Sequence, residues 1–442
     1  MDGKCRKIAL IGLACETEIG YADTPRQCSD CCGALRMAGA NVEYTGIVIH
    51  DAHSTRQAAA ALKKSGADLL LICIGTWSED NHLLELLRAE PLPLIIQASP
   101  AFDTGALCGA HQIASVLHDV GYPAASIVYG EAGNAQTAAE ILEAAAKAEP
   151  ATDRLSERTL RVGIIGSRVQ GMTEIAFDEF ALYSKCGVLV IPIGETELLD
   201  GVAAAKPEDI DEVCKRVRGW GCRVSVQERP LREAAAYYLA LRGIAERYAL
   251  DGLSVKCYTR FMGKVCLGYS LLAEEGVGCA CEGDVNGAVM MCLLGRFSGG
   301  CINNTDLLYP DPEANTILFS HCGSSGFSLA DARGITLAPV RLMETGVCAL
   351  FLPKTGVVTL AGLVGHGEKL RMSVMTGEAI ETGMEFPGNP VKVKFDTPVL
   401  DICREIAEKG CGHHWMAAYG DVSAQLEEYC RSHGVIYRRL GR

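Results

Sequence analysis

Chemistry in this 442-residue chain concentrates in four short polar runs embedded in apolar, glycine-rich sequence. The first, Cys279-Ala280-Cys281-Glu282-Gly283-Asp284-Val285-Asn286-Gly287, sets two carboxylates between a buried-looking strand and an apolar helix expected over 288–294. Charges in such a place must be paired, hydrogen-bonded or bound to a cation, because their unpaired burial is costly. The second, Cys301-Ile302-Asn303-Asn304-Thr305-Asp306, ends in another carboxylate. The third, Leu318-Phe319-Ser320-His321-Cys322-Gly323, puts an imidazole at the end of an apolar strand, and the fourth is Gly412-His413-His414-Trp415. Two or three acids with histidines form the hard, oxygen-rich donor set that suits Mn²⁺ or Mg²⁺. The plainer alternative has Asp284 and Asp306 capping helices or turns, with His413-His414 a surface pair.

Other signatures are missing. No GxGxxG follows the first apolar run, and no GxSxG or HExxH occurs. Gly166 to Gly171 imitates a phosphate loop without the Lys-Ser/Thr that completes one. The histidines at 50, 53, 82, 111, 118, 366 and 433 read as surface or capping groups. Twenty-one cysteines are scattered through apolar runs, which suits reduced thiols packed as small hydrophobes. Cys28, Cys31 and Cys32 are the one cluster, on a helix opened by Asp23-Thr24-Pro25, with no second pair at zinc-finger spacing.

The elements that must position these groups alternate. Strands are expected over 7–14, 42–49, 68–75, 93–97 and 126–129, with helices over 24–38 and 54–64 and around 111–120. Runs such as Leu69-Leu70-Leu71-Ile72-Cys73-Ile74 suit strands buried on both faces of a parallel sheet. A linker with Pro150 and a charged stretch, Asp153, Arg154, Glu157 and Arg158, separates this unit from a second alternation: strands 161–166, 188–193 and 252–257, and helices 173–185, 207–218 and 229–248. From Gly334 onward, short β-rich segments (347–352, 356–364, 369–376, 390–395) precede two helices, 398–409 and 422–432. The expected fold is α/β: two doubly wound α/β domains (1–155 and 156–333), then a β-rich C-terminal domain (334–442).

Composition narrows the partners. At 49% hydrophobic and 21% charged the chain is neither disordered nor fibrous. Forty-one Lys+Arg against 54 Asp+Glu give a net charge of −13, which repels nucleic acid and anionic membrane surfaces. No apolar run is long enough to span a bilayer, and the apolar stretch 8–14 is too short for a signal peptide, so a cytoplasmic location is expected.

The Glu282–Gly287 segment and its following helix resemble the metal-site segment of the L-fucose isomerase family and, more loosely, of L-arabinose isomerases. The similarity is best over about 250–330 and 405–422. It implies Mn²⁺ (or Mg²⁺ or another divalent ion) held by Glu282, Asp306 and His414, the last preceded by His413 as in the arabinose enzymes. Gly283 stands where that family carries a polar residue. Trp77 in Gly75-Thr76-Trp77-Ser78 resembles the family's tryptophan that reaches a neighbouring subunit's active site, which implies a homo-oligomer, a trimer or hexamer. The activity implied is aldose–ketose isomerisation of an open-chain pentose or 6-deoxyhexose through a cis-enediol, Glu282 and Asp306 acting as base and acid in turn. His321 and His413 are then expected to donate to substrate hydroxyls, Lys256 to hold the substrate chain, and Trp77 to pack on the sugar. Two other readings stand beside it. One is a metal-dependent decarboxylase or carboxyl-migrating enzyme on a sugar acid, using Lys256, Arg260 or Arg168 as the carboxylate's cation. The other is a non-enzymatic sugar-binding protein.

Overall fold

Uninterrupted apolar runs form buried parallel strands in both halves of the chain. The computed structural model describes residues 6–123, 125–149, 158–385 and 387–441, so the expected linker from Pro150 through Glu157 lies outside the described residues. Two compact units result, Met1–Thr159 and Leu160–Arg442.

In the first unit, β1 (Ile8–Leu13), β2 (Val42–Ile49), β3 (Leu69–Ile74), β4 (Leu94–Ala98) and β5 (Ser126–Tyr129) make a parallel sheet in the order β2-β1-β3-β4-β5. Every residue of β1 and β3 is buried, as expected for strands covered by helices on both faces. Cys28, Cys31 and Cys32 sit on the inner face of the helix Thr24–Met37 within this core. Burial lifts the Cys31 thiol to about 12, so the trio packs as small hydrophobes.

The second unit opens with β6 (Leu160–Ile165) and β7 (Val188–Ile193). After the two-residue β8 (Arg223–Val224) come β9 (Gly252–Val255) and β10 (Gly278–Ala280), and the parallel order is β10-β9-β6-β7. The expected helix over 173–185 is corrected here: a turn of 3-10 helix, Thr173–Ile175, is followed by a separate helix, Glu179–Cys186. Asp178 breaks the run by capping that helix, accepting from Ala181 N at 3.0 Å.

The β-rich part closes on itself. β11 (Asn303–Asp311), β12 (Thr316–Ser320), β15 (Gly356–Val364), β16 (Arg371–Ile380), β17 (Val391–Lys394) and β18 (His414–Tyr419) pair antiparallel in the ring β15-β18-β11-β12-β17-β16-β15. β19 (Ile436–Arg439) adds to β16, and β13 (Thr336–Val340) and β14 (Thr345–Leu350) join β8 in a separate sheet. Closure leaves these six strands few free edges. Phe319, Leu360, Met375, Val393 and Trp415 form one core of this barrel.

The helix Val285–Ser298 packs against β6 and β9 on one side and β15 and β18 on the other. It is apolar nearly all round, and Val285 through Met291 are all buried, as befits a helix between two layers. Its N-terminus therefore opens where the parallel sheet meets the barrel wall.

Candidate active site

β18 alternates, so Trp415 and Ala417 enter the barrel core while His414, Met416 and Ala418 face outward; the last two pack with the helix Val285–Ser298. β11 lies beside β18 with Asp306 opposite His414, which brings the second and fourth polar runs together across one strand pair. The first run arrives from the helix N-terminus. Asp284 caps that helix, its Oδ1 accepting from Gly287 N at 2.8 Å, while its Oδ2 lies 2.8 Å from His414 Nδ1. A Cβ on Gly287 would fall 2.6 Å from that Oδ2, so the glycine makes room for the contact.

Because carboxylates only accept, His414 donates from Nδ1 to Asp284 and from Nε2 to Glu282, and Nε2 is the nitrogen that faces the other acids. Glu282 Oε2 is 3.1 Å from this Nε2 and Asp306 Oδ1 is 3.7 Å from it. Asp306 Oδ1 is buried without a hydrogen-bond partner. Among the described residues no lysine or arginine pairs with Glu282, Asp284 or Asp306. Burial opposes charging His414, but Asp284 and Glu282 outweigh it and lift the imidazole well above its usual value.

The backbone at Glu282 is unusual in the way ligand-bearing turns are. Glu282 and Gly283 are both left-handed, at φ 67° and 74°. A Cβ on Gly283 would fall 2.3 Å from Ser167 O and 2.7 Å from Arg168 Cα, so only glycine fits where the resemblance led one to expect a polar residue. Val169 N donates to Glu282 O at 3.0 Å and Gly283 N to Val255 O at 3.0 Å, pinning the turn between β6 and β9.

His321 follows β12 and joins the group, its Nε2 3.8 Å from Asp306 Oδ2 and its ring centre 5.9 Å from that of His414. Burial lowers its basicity, yet Cys281, Asp306 and Glu282 raise it to about 9. His413 is half-exposed, with its ring centre 4.0 Å from that of His414 and its Nδ1 bonded to Glu174. Ligand atoms of Glu282, His413 and His414, and likewise of Asp306, His321 and His414, lie within 4.8 Å of one another.

The side chains of the other expected residues make no described contact with Glu282, Asp306 or His414. Lys256 follows β9 and donates its backbone N–H to Ile165 O; no described contact ties its ammonium to the carboxylates. Arg260 is paired with Glu195 at 2.5 Å, and Arg168 donates to Val169 O at 3.3 Å. Trp77 belongs to the first unit, after β3, where its Nε1 donates to Gln112 Oε1 at 2.9 Å. Two of the histidines read as surface or capping groups are buried: His82 between Thr55 and Glu79, and His433 at the end of its helix, stacked on Tyr429 with Nδ1 2.8 Å from Tyr429 O.

Sequence reasoning counted Asp284 among the acids of a possible donor set, or as a cap, and did not foresee its contact with His414. It also overlooked Asn286 and Asn304, which are buried with every amide atom unpartnered. Strand alternation puts Asn304 on the face of Asp306, a signal present in the Asn304-Thr305-Asp306 spacing.

No family model matches the chain. It is 28% identical over 288 residues to the sulfoquinovose isomerase of Alkalicoccus urumqiensis, covering 62% of this chain and 63% of that one. The sulfoquinovose isomerase of Priestia aryabhattai is 25% identical over 384 residues, 84% of this chain and 85% of the relative. An L-arabinose isomerase of Herpetosiphon aurantiacus is 27% identical over 237 residues, 49% of this chain and 46% of that enzyme. The chain thus spans less than two-thirds of the Alkalicoccus relative. No described helix is long and apolar enough to cross a membrane. The similarity is to isomerases of sugars, and it supports that broad relationship rather than the fucose enzymes in particular.

Proposed function

We propose that this chain is a divalent-metal-dependent aldose–ketose isomerase acting on an open-chain sugar. The observation that carries the reading is Asp306 Oδ1, buried without a partner, facing the same His414 Nε2 as Glu282 in a cluster no described Lys or Arg neutralises. Such a cluster is held together by imidazolium or by a cation. A divalent ion held by Glu282, Asp306 and His414, Mn²⁺ before Mg²⁺ on this oxygen-rich set, supplies Lewis acidity to the carbonyl and the neighbouring hydroxyl.

Asp284 keeps the Nδ1 proton in place, which leaves the Nε2 lone pair of neutral His414 directed at the carboxylates. Glu282 and Asp306 act as base and acid in turn: one takes the proton from the carbon beside the carbonyl, and the same proton or one from solvent returns to the former carbonyl carbon. His321, His413, Asn286 and Asn304 hydrogen-bond the substrate's hydroxyls; the two asparagines gain the partners they lack. The relatives' names favour sulfoquinovose, a hexose with sulfonate on C6, over a plain pentose or 6-deoxyhexose, and Lys256 is assigned to the anionic end. The reading includes a homo-oligomer, trimer or hexamer, in which Trp77 packs on the sugar held by a neighbouring copy.

Solvent deuterium exchange tests this. Stripped protein reloaded with Mn²⁺ is incubated in D₂O with sulfoquinovose, L-arabinose or L-fucose while NMR follows the C2 proton. The expected result is Mn²⁺-dependent exchange, strongest with sulfoquinovose, and a loss of about a hundredfold or more in Glu282→Gln. Exchange with the neutral sugars alone overturns the substrate assignment. Full activity in Glu282→Gln, or no exchange on any sugar, overturns the mechanism.

A further inference from the structure

Thiols lie directly behind the carboxylates, and the proposed isomerisation uses none of them. Cys281 immediately precedes Glu282, Cys322 immediately follows His321, and both are buried, at 1% and 3% exposure. One sulfur from each and one ring nitrogen of His321 lie within 4.8 Å of one another. His321 Nδ1 is 3.1 Å from Cys322 Sγ. Ser324 Oγ, also buried, is 3.5 Å from Cys281 Sγ. His321 therefore stands between two donor sets of opposite character, with Nδ1 toward sulfur and Nε2 toward Asp306.

This differs from the buried thiols elsewhere. Cys28, Cys31 and Cys32 pack in an apolar core that holds Cys73 but no histidine, and they belong to none of the described clusters of possible metal ligands. Two thiolates and an imidazole are the donor set of a thiophilic, tetrahedral ion. With Zn–S near 2.3 Å and Zn–N near 2.0–2.1 Å, neighbouring donors stand roughly 3.6–3.8 Å apart, which these side chains reach by small inward shifts. Ser324 Oγ or a water completes the fourth position.

We propose that Cys281, Cys322 and Nδ1 of His321 form a binding site for a thiophilic divalent ion of the Zn²⁺ or Cd²⁺ class, separate from the carboxylate site and adjoining it through His321. An ion on Nδ1 leaves the imidazole proton on Nε2, facing Asp306 Oδ2. The two sites are coupled through that one ring.

The test is a titration of reduced, metal-stripped full-length protein with Cd²⁺, following the ultraviolet thiolate-to-cadmium charge-transfer band. One equivalent is expected to saturate it. Cys281→Ser and Cys322→Ser each abolish the band at one equivalent, Cys31→Ser leaves it intact, and His321→Gln weakens binding at least tenfold. X-ray absorption of wild-type protein carrying one equivalent of Zn²⁺ needs no variant to fold: it should show two sulfurs with nitrogen or oxygen completing the shell. Absence of the band, its persistence in both serine variants, a shell without sulfur, or one of three or four sulfurs overturns the proposal.

Discussion

Asp284 Oδ2 lies 2.8 Å from His414 Nδ1 while the same carboxylate's Oδ1 caps the helix Val285–Ser298. One side chain thus ties a helix terminus to the tautomer of a candidate ligand 130 residues away. The two jobs separate by mutation. Asp284→Asn keeps an oxygen for Gly287 N but presents an amide N–H to Nδ1, which drives the proton onto Nε2. Metal affinity should fall by about 10–100-fold, and the metal-free protein should lose at pH 7 the stability that the charged Asp284–His414 pair contributes. Asp284→Ala loses the cap as well, about 1 kcal/mol more in urea unfolding. Calorimetric Mn²⁺ titration of both variants decides it, and wild-type affinity in Asp284→Asn sinks the assignment.

Metal uptake should be pH-dependent in a defined direction. His414 is held well above 6.5 in the metal-free fold, so at pH 7 it carries a proton that a ligand cannot keep. Binding of Mn²⁺ at pH 7 should release about one proton from this residue, and affinity should rise about tenfold per pH unit until the raised value is passed. Stability of the metal-free protein runs the opposite way. A raised folded-state basicity stabilises fully below 6.5 and is lost as pH climbs through the folded value, about 9 for His321. The melting temperature of stripped protein should therefore fall between pH 6.5 and 9, and Mn²⁺ should restore most at the alkaline end. Titrations in buffers of different ionisation enthalpy measure the released proton; finding none at pH 7 contradicts the scheme.

Much of this is legible in the sequence alone. The run Leu69–Ile74 has no polar alternation and forms a fully buried parallel strand, and the four polar runs do converge where apolar sequence forced them to find partners. The rest depends on distance along the chain. Nothing local in Asn303–Asp306 says that it pairs with 414–417, or that Gly356–Val364 meets β16 to close a barrel. The second oxygen of Asp284 was hidden for the same reason: a cap is a local pattern, but its contact with His414 is created by barrel closure. At 173–185 the signal was present in Asp178 and overridden by the apolar residues around it. His82 was misplaced because Thr55, its buried polar partner, comes from another helix that only the packed structure supplies.

Gly283→Ala probes the turn that aims Glu282. At φ 74° an L side chain costs roughly 1–2 kcal/mol, and its Cβ would also press on Ser167 O. Relieving that contact moves the Glu282 backbone, so Mn²⁺ affinity and turnover should both drop more than the loss of unfolding free energy alone would cause. Gly276→Ala is the control, at φ 85° with nothing within 4 Å of its Cβ. It should show the strain without the loss of metal. Equal effects in the two variants would mean that the Ser167 contact does not steer the ligand.

The proposed oligomer leads to an outcome that a self-sufficient chain cannot produce. If Trp77 serves a sugar bound to the next copy, Trp77→Ala and Glu282→Gln are each inactive for different reasons. Mixing them by denaturation and co-refolding, or by co-expression, lets a Trp77→Ala chain keep its carboxylates and receive Trp77 from its neighbour. With equal amounts in a closed ring, a site needs the right variant on each side, so about a quarter of wild-type activity per site should return. Neither variant alone, treated identically, should gain anything. Failure to recover activity in oligomers shown by mass to contain both chains, or full activity in Trp77→Ala alone, removes Trp77 from the reaction and returns it to its role as a partner of Gln112 beyond the carboxyl end of the first unit's central strand.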